Sequence, residues 1–384
     1  MEHEVFEFRG LNVLDSKCYK VVVEDGVISD LSECKTAPEG SYFCPGGLID
    51  TQVNGCLGYN YTGEDLSVSQ VRQICTELAE HGTLQHFATI ITSSEERILK
   101  SLDTLVKAIE EDEFVRRSIT GIHIEGNYIS RLDGPRGAHN IAYVRDASIE
   151  EFDRWYEHSK GLLKYITIGA EANGALDLIK HAVAKGVVVS IGHTGATKEQ
   201  IDKAAEAGAS ESTHLGNGVF AKIDRFENPI WPQLRNQKLT TGLIADGDHV
   251  TPDLVWVISR CKDSDHIILV SDLHHCAGLE PGRRMDGPLE IEVFKDAAVR
   301  VAGTPYLAGA GVHLLKCTYN YALFSQTDPV QAFRLSTVNP IRKYNLDPER
   351  AVLRTGKKAE FIAFEKGQNC YDLKAVFADG KRIV

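Results

Sequence analysis

Four short apolar runs each end in a residue that can bind a metal or move a proton. They are Gly121-Ile122-His123-Ile124-Glu125, the stretch 187–193 ending in His193, the stretch 210–214 ending in His214, and the stretch 266–272 ending in Asp272. Carboxylate oxygen and neutral imidazole are good ligands for zinc and similar divalent ions. Three such ligands, Glu125, His193 and His214, leave a coordination position for water, whose pKa the ion lowers. A carboxylate at Asp272 can then accept the proton and later give it to a leaving amine. His249, in the run Ala245-Asp246-Gly247-Asp248-His249-Val250, can donate to a scissile carbonyl and stabilise its oxyanion. Each residue also has an ordinary reading: Glu125 as a charge opening a loop, the histidines as hydrogen-bonded structural or loop groups, and Asp272 as a helix N-cap. Leu273-His274-His275 makes a poor start for a helix, which favours proton transfer at Asp272.

These residues meet only if the chain brings the ends of its strands together. Strand-like runs begin near Leu48, Gln85, Ile119, Tyr165, Val187, Ser210, Thr240 and His266. Between them lie helical patterns, at 67–81, 95–111, 175–185 and 198–207 among others. Gly82, Gly186 and Gly208 follow three of these, as glycine does at helix C-termini. Eight strands alternating with helices predict an α/β fold, a (β/α)8 TIM-like barrel, which gathers strand C-termini at one mouth. The two ends of the chain differ from this middle. Val5-Phe6-Glu7-Phe8 alternates, Asp25-Gly26 marks a hairpin turn, and 360–364 and 375–384 are again strand-like. The expected division is a small β-sandwich domain from 1–46 and 346–384, with the barrel at 47–345. A hairpin insertion is expected near 279–301, with turns at Pro281-Gly282 and Asp286-Gly287-Pro288.

Composition narrows the function. The 384 residues are 43% hydrophobic, enough for a large core, yet no run of about 18 apolar residues suggests a membrane span. The formal charge of −12 and the lack of a long basic run argue against nucleic acid as a partner. The start, Met1-Glu2-His3-Glu4, lacks the layout of a signal peptide, so a cytoplasmic location is expected. Nine scattered cysteines without a Cys-x-x-Cys pair predict reduced thiols and no cysteine zinc site.

As an ordered set, several motifs resemble the N-acetylglucosamine-6-phosphate deacetylase branch of the amidohydrolase superfamily. They are Pro45-Gly46-Gly47-Leu48-Ile49-Asp50, Gly121-Ile122-His123-Ile124-Glu125-Gly126, Arg136-Gly137-Ala138-His139-Asn140, the run 190–197, Thr213-His214-Leu215-Gly216-Asn217, 245–249 and Val270-Ser271-Asp272. The resemblance implies one divalent metal ion, zinc or else Fe2+, Mn2+ or Co2+, on Glu125, His193 and His214. It makes Asp272 the general base and acid, and sets His249 on the substrate carbonyl. It makes His139, Asn217, Gly218 and Arg225 substrate contacts, with Arg225 reaching a phosphate from the neighbouring subunit of a homodimer. The implied reaction is hydrolysis of N-acetylglucosamine 6-phosphate to glucosamine 6-phosphate and acetate. Rival readings are a deacylase of another N-acyl substrate, such as the galactosamine epimer, a non-phosphorylated sugar or an amino acid, and a non-catalytic binding protein on this scaffold.

The chain departs from the family pattern in places. Gln52-Val53-Asn54 stands where many amidohydrolases have His-x-His, which favours one tightly held metal; Gln52 and Asn54 are candidates for contact with water or a weak second ion, with packing at the barrel mouth as the competing reading. Asn127 replaces the usual Pro, Gly216-Asn217-Gly218-Val219-Phe220 replaces an aromatic-Asn-Ala-Met sequence, and His274 and His275 enter a segment normally poor in histidine. These two histidines are candidates for a substrate contact, an additional ion or loop packing.

Overall fold

A computed structural model describes residues 4–286, 289–304 and 306–384. Eight parallel strands form one sheet in the order Ile267–Leu269, Thr240–Leu243, Glu211–Ser212, Val188–Ile191, Leu163–Ile168, Ile119–Glu125, Thr83–Ile91 and Leu48–Val53. The two edge strands are the first and the last in the chain. They approach through a parallel bridge between Val53 and Leu273 and a 2.9 Å hydrogen bond from Asn54 N to Leu273 O. The sheet is thus a nearly closed barrel, as the alternating pattern predicts.

The sequence sets the helices by ordinary local rules. Ser67 and Thr197 cap Val68–Glu80 and Lys198–Ala207 in reciprocal boxes with Gln70 and Gln200. Gly208 ends the second helix at φ +119°, a conformation that only glycine adopts without strain. Each helix turns one face to the barrel: Val71, Ile74, Cys75, Leu78 and Ala79 are the buried side of Val68–Glu80.

The chain ends build a separate seven-stranded sheet, in the order Lys381–Arg382, Tyr371–Ala378, Phe361–Lys366, Ser41–Pro45, Val5–Asn12, Cys18–Glu24 and Val27–Glu33. Val5–Asn12 pairs with Ser41–Pro45 only at Leu11 and Asn12, so the sheet turns a corner there. Phe6 consequently lies 5.3 Å, ring to ring, from Phe377, although two strands separate them in the order. Val21, Val23 and Ile28 face Phe43, Phe361 and Phe377 as in a sandwich. Strand alternation sends Ile362 and Phe364 to the opposite face, where Phe364 stacks at 4.6 Å on Phe333 of the barrel's outer layer.

The expected hairpin is a three-stranded antiparallel sheet, Gly282–Asp286, Leu289–Val293 and Val299–Val301. Gly287 and Pro288 of its first turn lie outside the described residues. Among the described residues no helix is long and apolar enough to cross a membrane.

Candidate active site

The strand tips deliver their chemistry to one place. Glu125 is the last residue of Ile119–Glu125; His193 follows Val188–Ile191 by two residues, as His214 follows Glu211–Ser212. The His214 Nε2 atom is 3.0 Å from Glu125 Oε1 and 3.1 Å from His193 Nε2, and His193 Nε2 is 3.4 Å from the same carboxylate oxygen. All three side chains are buried. His193 Nδ1 sits 2.9 Å from the Pro135 carbonyl, which can only accept, so Nδ1 carries the proton and Nε2 presents a lone pair. Two imidazole nitrogens and one carboxylate oxygen facing a common point are a donor set suited to a divalent ion. The residues fit the metal that the sequence implies.

The backbone around these groups is unusual. His193, His214 and Asp272 have φ of +45°, +30° and +53°. A non-glycine residue in this region costs on the order of 1–3 kcal/mol, and such strain collects where side chains must be aimed for function. Burial pushes the Glu125 carboxyl up, but its interactions with His193 and His214 outweigh this and hold the group well below the usual carboxylate range. Burial lowers His214, yet the Glu125 hydrogen bond and charge leave it raised.

Asp272 closes the group. Its Oδ1 accepts from Asn54 Nδ2 at 2.8 Å and from Gln52 Nε2 at 3.2 Å. Gln52 Nε2 also donates to Glu125 Oε1 at 3.0 Å, so its amide ties Asp272 to the cluster from below. Burial first, and then the Glu125 charge, push the Asp272 carboxyl up. A cation held by Glu125, His193 and His214 would act the other way and favour the carboxylate form.

A cavity of about 880 Å³ opens over these residues, lined among others by Asn54, Glu125, His139, His193, His214, Asn217, Gly218, His249 and Asp272. His249 Nδ1 meets Asp246 Oδ2 at 2.6 Å, which leaves Nε2 as its other polar atom. His139 is held by Thr92 Oγ1 at 2.8 Å and comes within 3.2 Å of His193 Nε2. Gly218 packs against the metal-type cluster: a Cβ there would lie 2.8 Å from His193 Nδ1. Gln52 is buried beneath the cavity rather than lining it, and Arg225 is absent from its wall. The Arg225 guanidinium lies 4.5 Å over the ring of Phe226, which is 74% exposed.

Other participants carry no distinctive signal in the sequence. Asp286, on the inserted sheet, reaches the cavity beside His274 and His275. Arg97 also lines it, paired with Glu64. Thr92, which holds His139, would have stood out only from the fold, whereas Asp246, which holds His249, lies in the run 245–249.

The chain matches the amidohydrolase family over residues 44–383. It belongs to the amidohydrolase family. This amidohydrolase is 28% identical to the N-acetylglucosamine-6-phosphate deacetylase of Bacillus subtilis (strain 168), over 89% of the chain and 87% of the relative. It is 26% identical to the N-acetylgalactosamine-6-phosphate deacetylase of Escherichia coli O157:H7, covering 91% of each. Its structure resembles a mutant N-acetyl-D-glucosamine-6-phosphate deacetylase from Mycobacterium smegmatis in complex with N-acetyl-D-glucosamine-6-phosphate, with a TM-score of 0.85, 26% identity and full coverage of both chains. The protein is a metal-dependent amidohydrolase enzyme with a buried His and Glu cluster suited to its metal.

Proposed function

We propose that this amidohydrolase converts N-acetylglucosamine 6-phosphate and water to glucosamine 6-phosphate and acetate. The observation that carries the reading is the meeting of Glu125, His193 and His214 with Asp272 at one cavity floor. Glu125, His193 and His214 are the metal ligands, and zinc suits their nitrogen and oxygen donors. A bound divalent ion supplies Lewis acidity to the attacking water and to the acetamide carbonyl. Asp272 removes the proton from that water. Asn54 and Gln52 occupy its Oδ1, which leaves Oδ2 for the transfer. As the water oxygen bonds to the carbonyl carbon, charge develops on the carbonyl oxygen, and His249, its Nδ1–H held by Asp246, donates to it from Nε2 when both ring nitrogens carry protons. Asp272 then passes its proton to the amine as the C–N bond breaks.

His139 and the Asn217–Gly218 backbone contact the sugar phosphate. Arg225 reaches a partner's phosphate across a homodimer, a reading supported by its place outside its own cavity and by the exposed Phe226 and Trp231 beside it. An Arg fork suits phosphate because it donates two parallel hydrogen bonds. We assign residues 1–46 and 346–384 to one domain and 47–345 to the barrel, and place the enzyme in the cytoplasm. The relationship to an N-acetylgalactosamine-6-phosphate deacetylase makes the 4-epimer the second candidate substrate.

Asp272→Asn tests the mechanism. It keeps the size of the side chain and removes the base. Acetate release should fall by 10²-fold or more while metal content is unchanged; retained turnover would defeat the assignment.

A further inference from the structure

His274, His275 and Asp286 form a second polar group in the cavity wall, apart from the metal-type cluster. Hydrogen bonding fixes both imidazoles. The Cys276 backbone N–H points at His274 Nδ1 over 3.1 Å. Asn60 Nδ2 faces His275 Nδ1 at 3.3 Å, and the Asn60 amide is itself oriented, because its Oδ1 accepts from Thr62 N at 2.7 Å. Both Nδ1 atoms are therefore acceptors, and each ring carries its proton on Nε2. Burial and the adjacent His274 push the His275 imidazole down to about 4, so it stays neutral. The two Nε2–H groups face separate oxygens of one carboxylate, His274 toward Asp286 Oδ2 at 3.4 Å and His275 toward Asp286 Oδ1 at 3.7 Å. These separations exceed those of good hydrogen bonds, so both donors and both oxygens keep capacity for a ligand.

Two donors beside two acceptors call for groups that accept and donate at once. A hydroxyl does both. A phosphate only accepts when ionised and meets repulsion from Asp286; protonated Nε2 atoms offer a metal no lone pair. Resting on the deacetylase reading above, we propose that His274, His275 and Asp286 bind two adjacent hydroxyls of the sugar ring. Each hydroxyl accepts from one imidazole and donates to one carboxylate oxygen. This set makes the enzyme sensitive to ring configuration, and it leaves the phosphate to the Asn217 side of the cavity.

The test compares kcat/KM for N-acetylglucosamine 6-phosphate, its 4-epimer and its 4-deoxy analogue, in wild type, Asp286→Ala and His275→Ala, all loaded with metal. Losing hydrogen bonds to a charged partner should lower kcat/KM on the preferred hydroxyl substrate by about 10- to 100-fold, mainly through KM. The 4-deoxy analogue should lose far less. Equal loss on all three substrates would overturn the proposal, since a structural role acts without regard to the hydroxyl. Wild-type protein that hydrolyses none of them would overturn the deacetylase reading and this proposal with it. A thiolate-to-cobalt charge-transfer band in Co2+-loaded protein, lost in Cys276→Ser, would also overturn it. That band would assign His274, His275 and Cys276 to a second metal, because the Glu125 cluster contains no sulfur.

Discussion

Gly218→Ala isolates the contact between the cavity loop and the ligand cluster. Gly218 has φ +58°, and a Cβ on it would lie 2.8 Å from His193 Nδ1 and 3.1 Å from Cε1. Two costs follow. Placing an L residue in the left-handed region costs roughly 1–2 kcal/mol. The second cost is the clash, and His193 cannot easily swing away, because its Nδ1–H is bound to Pro135 O at 2.9 Å and its backbone is itself at φ +45°. The imidazole must shift by several tenths of an ångström, enough to disturb the 3.1 and 3.4 Å spacings to His214 and Glu125. Disturbing the support of a metal ligand typically costs 10- to 100-fold in affinity, and we expect a loss of that order. The assay is metal affinity by chelator competition, paired with thermal unfolding. Gly161→Ala is the control, for it has φ +82° with nothing within 4 Å of the added Cβ. Both variants carry the backbone cost, so Gly218→Ala should lose at least as much stability as Gly161→Ala, and only Gly218→Ala should lose metal. Equal metal affinity in the two would refute the packing argument.

Other expectations follow from the same geometry. Arg225→Ala should raise KM for the phosphorylated sugar at least tenfold and leave the non-phosphorylated analogue unaffected; equal effects would remove Arg225 from the phosphate. Asn54→Ala removes the 2.8 Å bond that holds Asp272 Oδ1, and should lower kcat more than it changes KM. In metal-free protein the Glu125–His214 pair sets a pH dependence. Glu125 is depressed in the fold, so its contribution is present above the ordinary value near 4.5 and disappears as pH falls through its folded value. His214 is raised, so its contribution is complete below 6.5 and disappears as pH rises through its folded value. Unfolding temperature of the metal-free protein should therefore decline on raising the pH from 6 toward 9. Metal-loaded protein should not show this decline, because binding displaces the His214 proton. Identical profiles would contradict the pairing.

Much of the site is legible in the sequence because barrel strands are short apolar runs that stop abruptly at a chemical residue. Glu125 and Asp272 stand out that way. His214 was legible even though its strand, Glu211–Ser212, is only two residues long. Period-two alternation also explains what is easily misread. His123 shares a strand face with Glu125, but lies one layer lower, between Thr89 and Thr167 and stacked 3.9 Å from Tyr165. It is part of the barrel filling. The same alternation puts Gln52 and Asn54 on one face, and both reach Asp272. Their tie to Asp272 was hidden because it depends on closure between the first and last strands. Asp286 was equally hidden: a charged residue on a hairpin reads as solvated until the insertion folds over the cavity. The corner in the terminal sheet depends on a pairing of only two residues, Leu11 and Asn12, which no local pattern announces.

On the function proposed above, Glu125, His193, His214 and Asp272 together constitute a deacetylating centre. The most direct measurement is acetate release by the metal-reconstituted enzyme from N-acetylglucosamine with and without the 6-phosphate, beside metal-stripped protein. Acetate is expected from the phosphorylated sugar, abolished by stripping and restored by a divalent ion. No acetate from the reconstituted enzyme, or release unaffected by removing the metal, would contradict it.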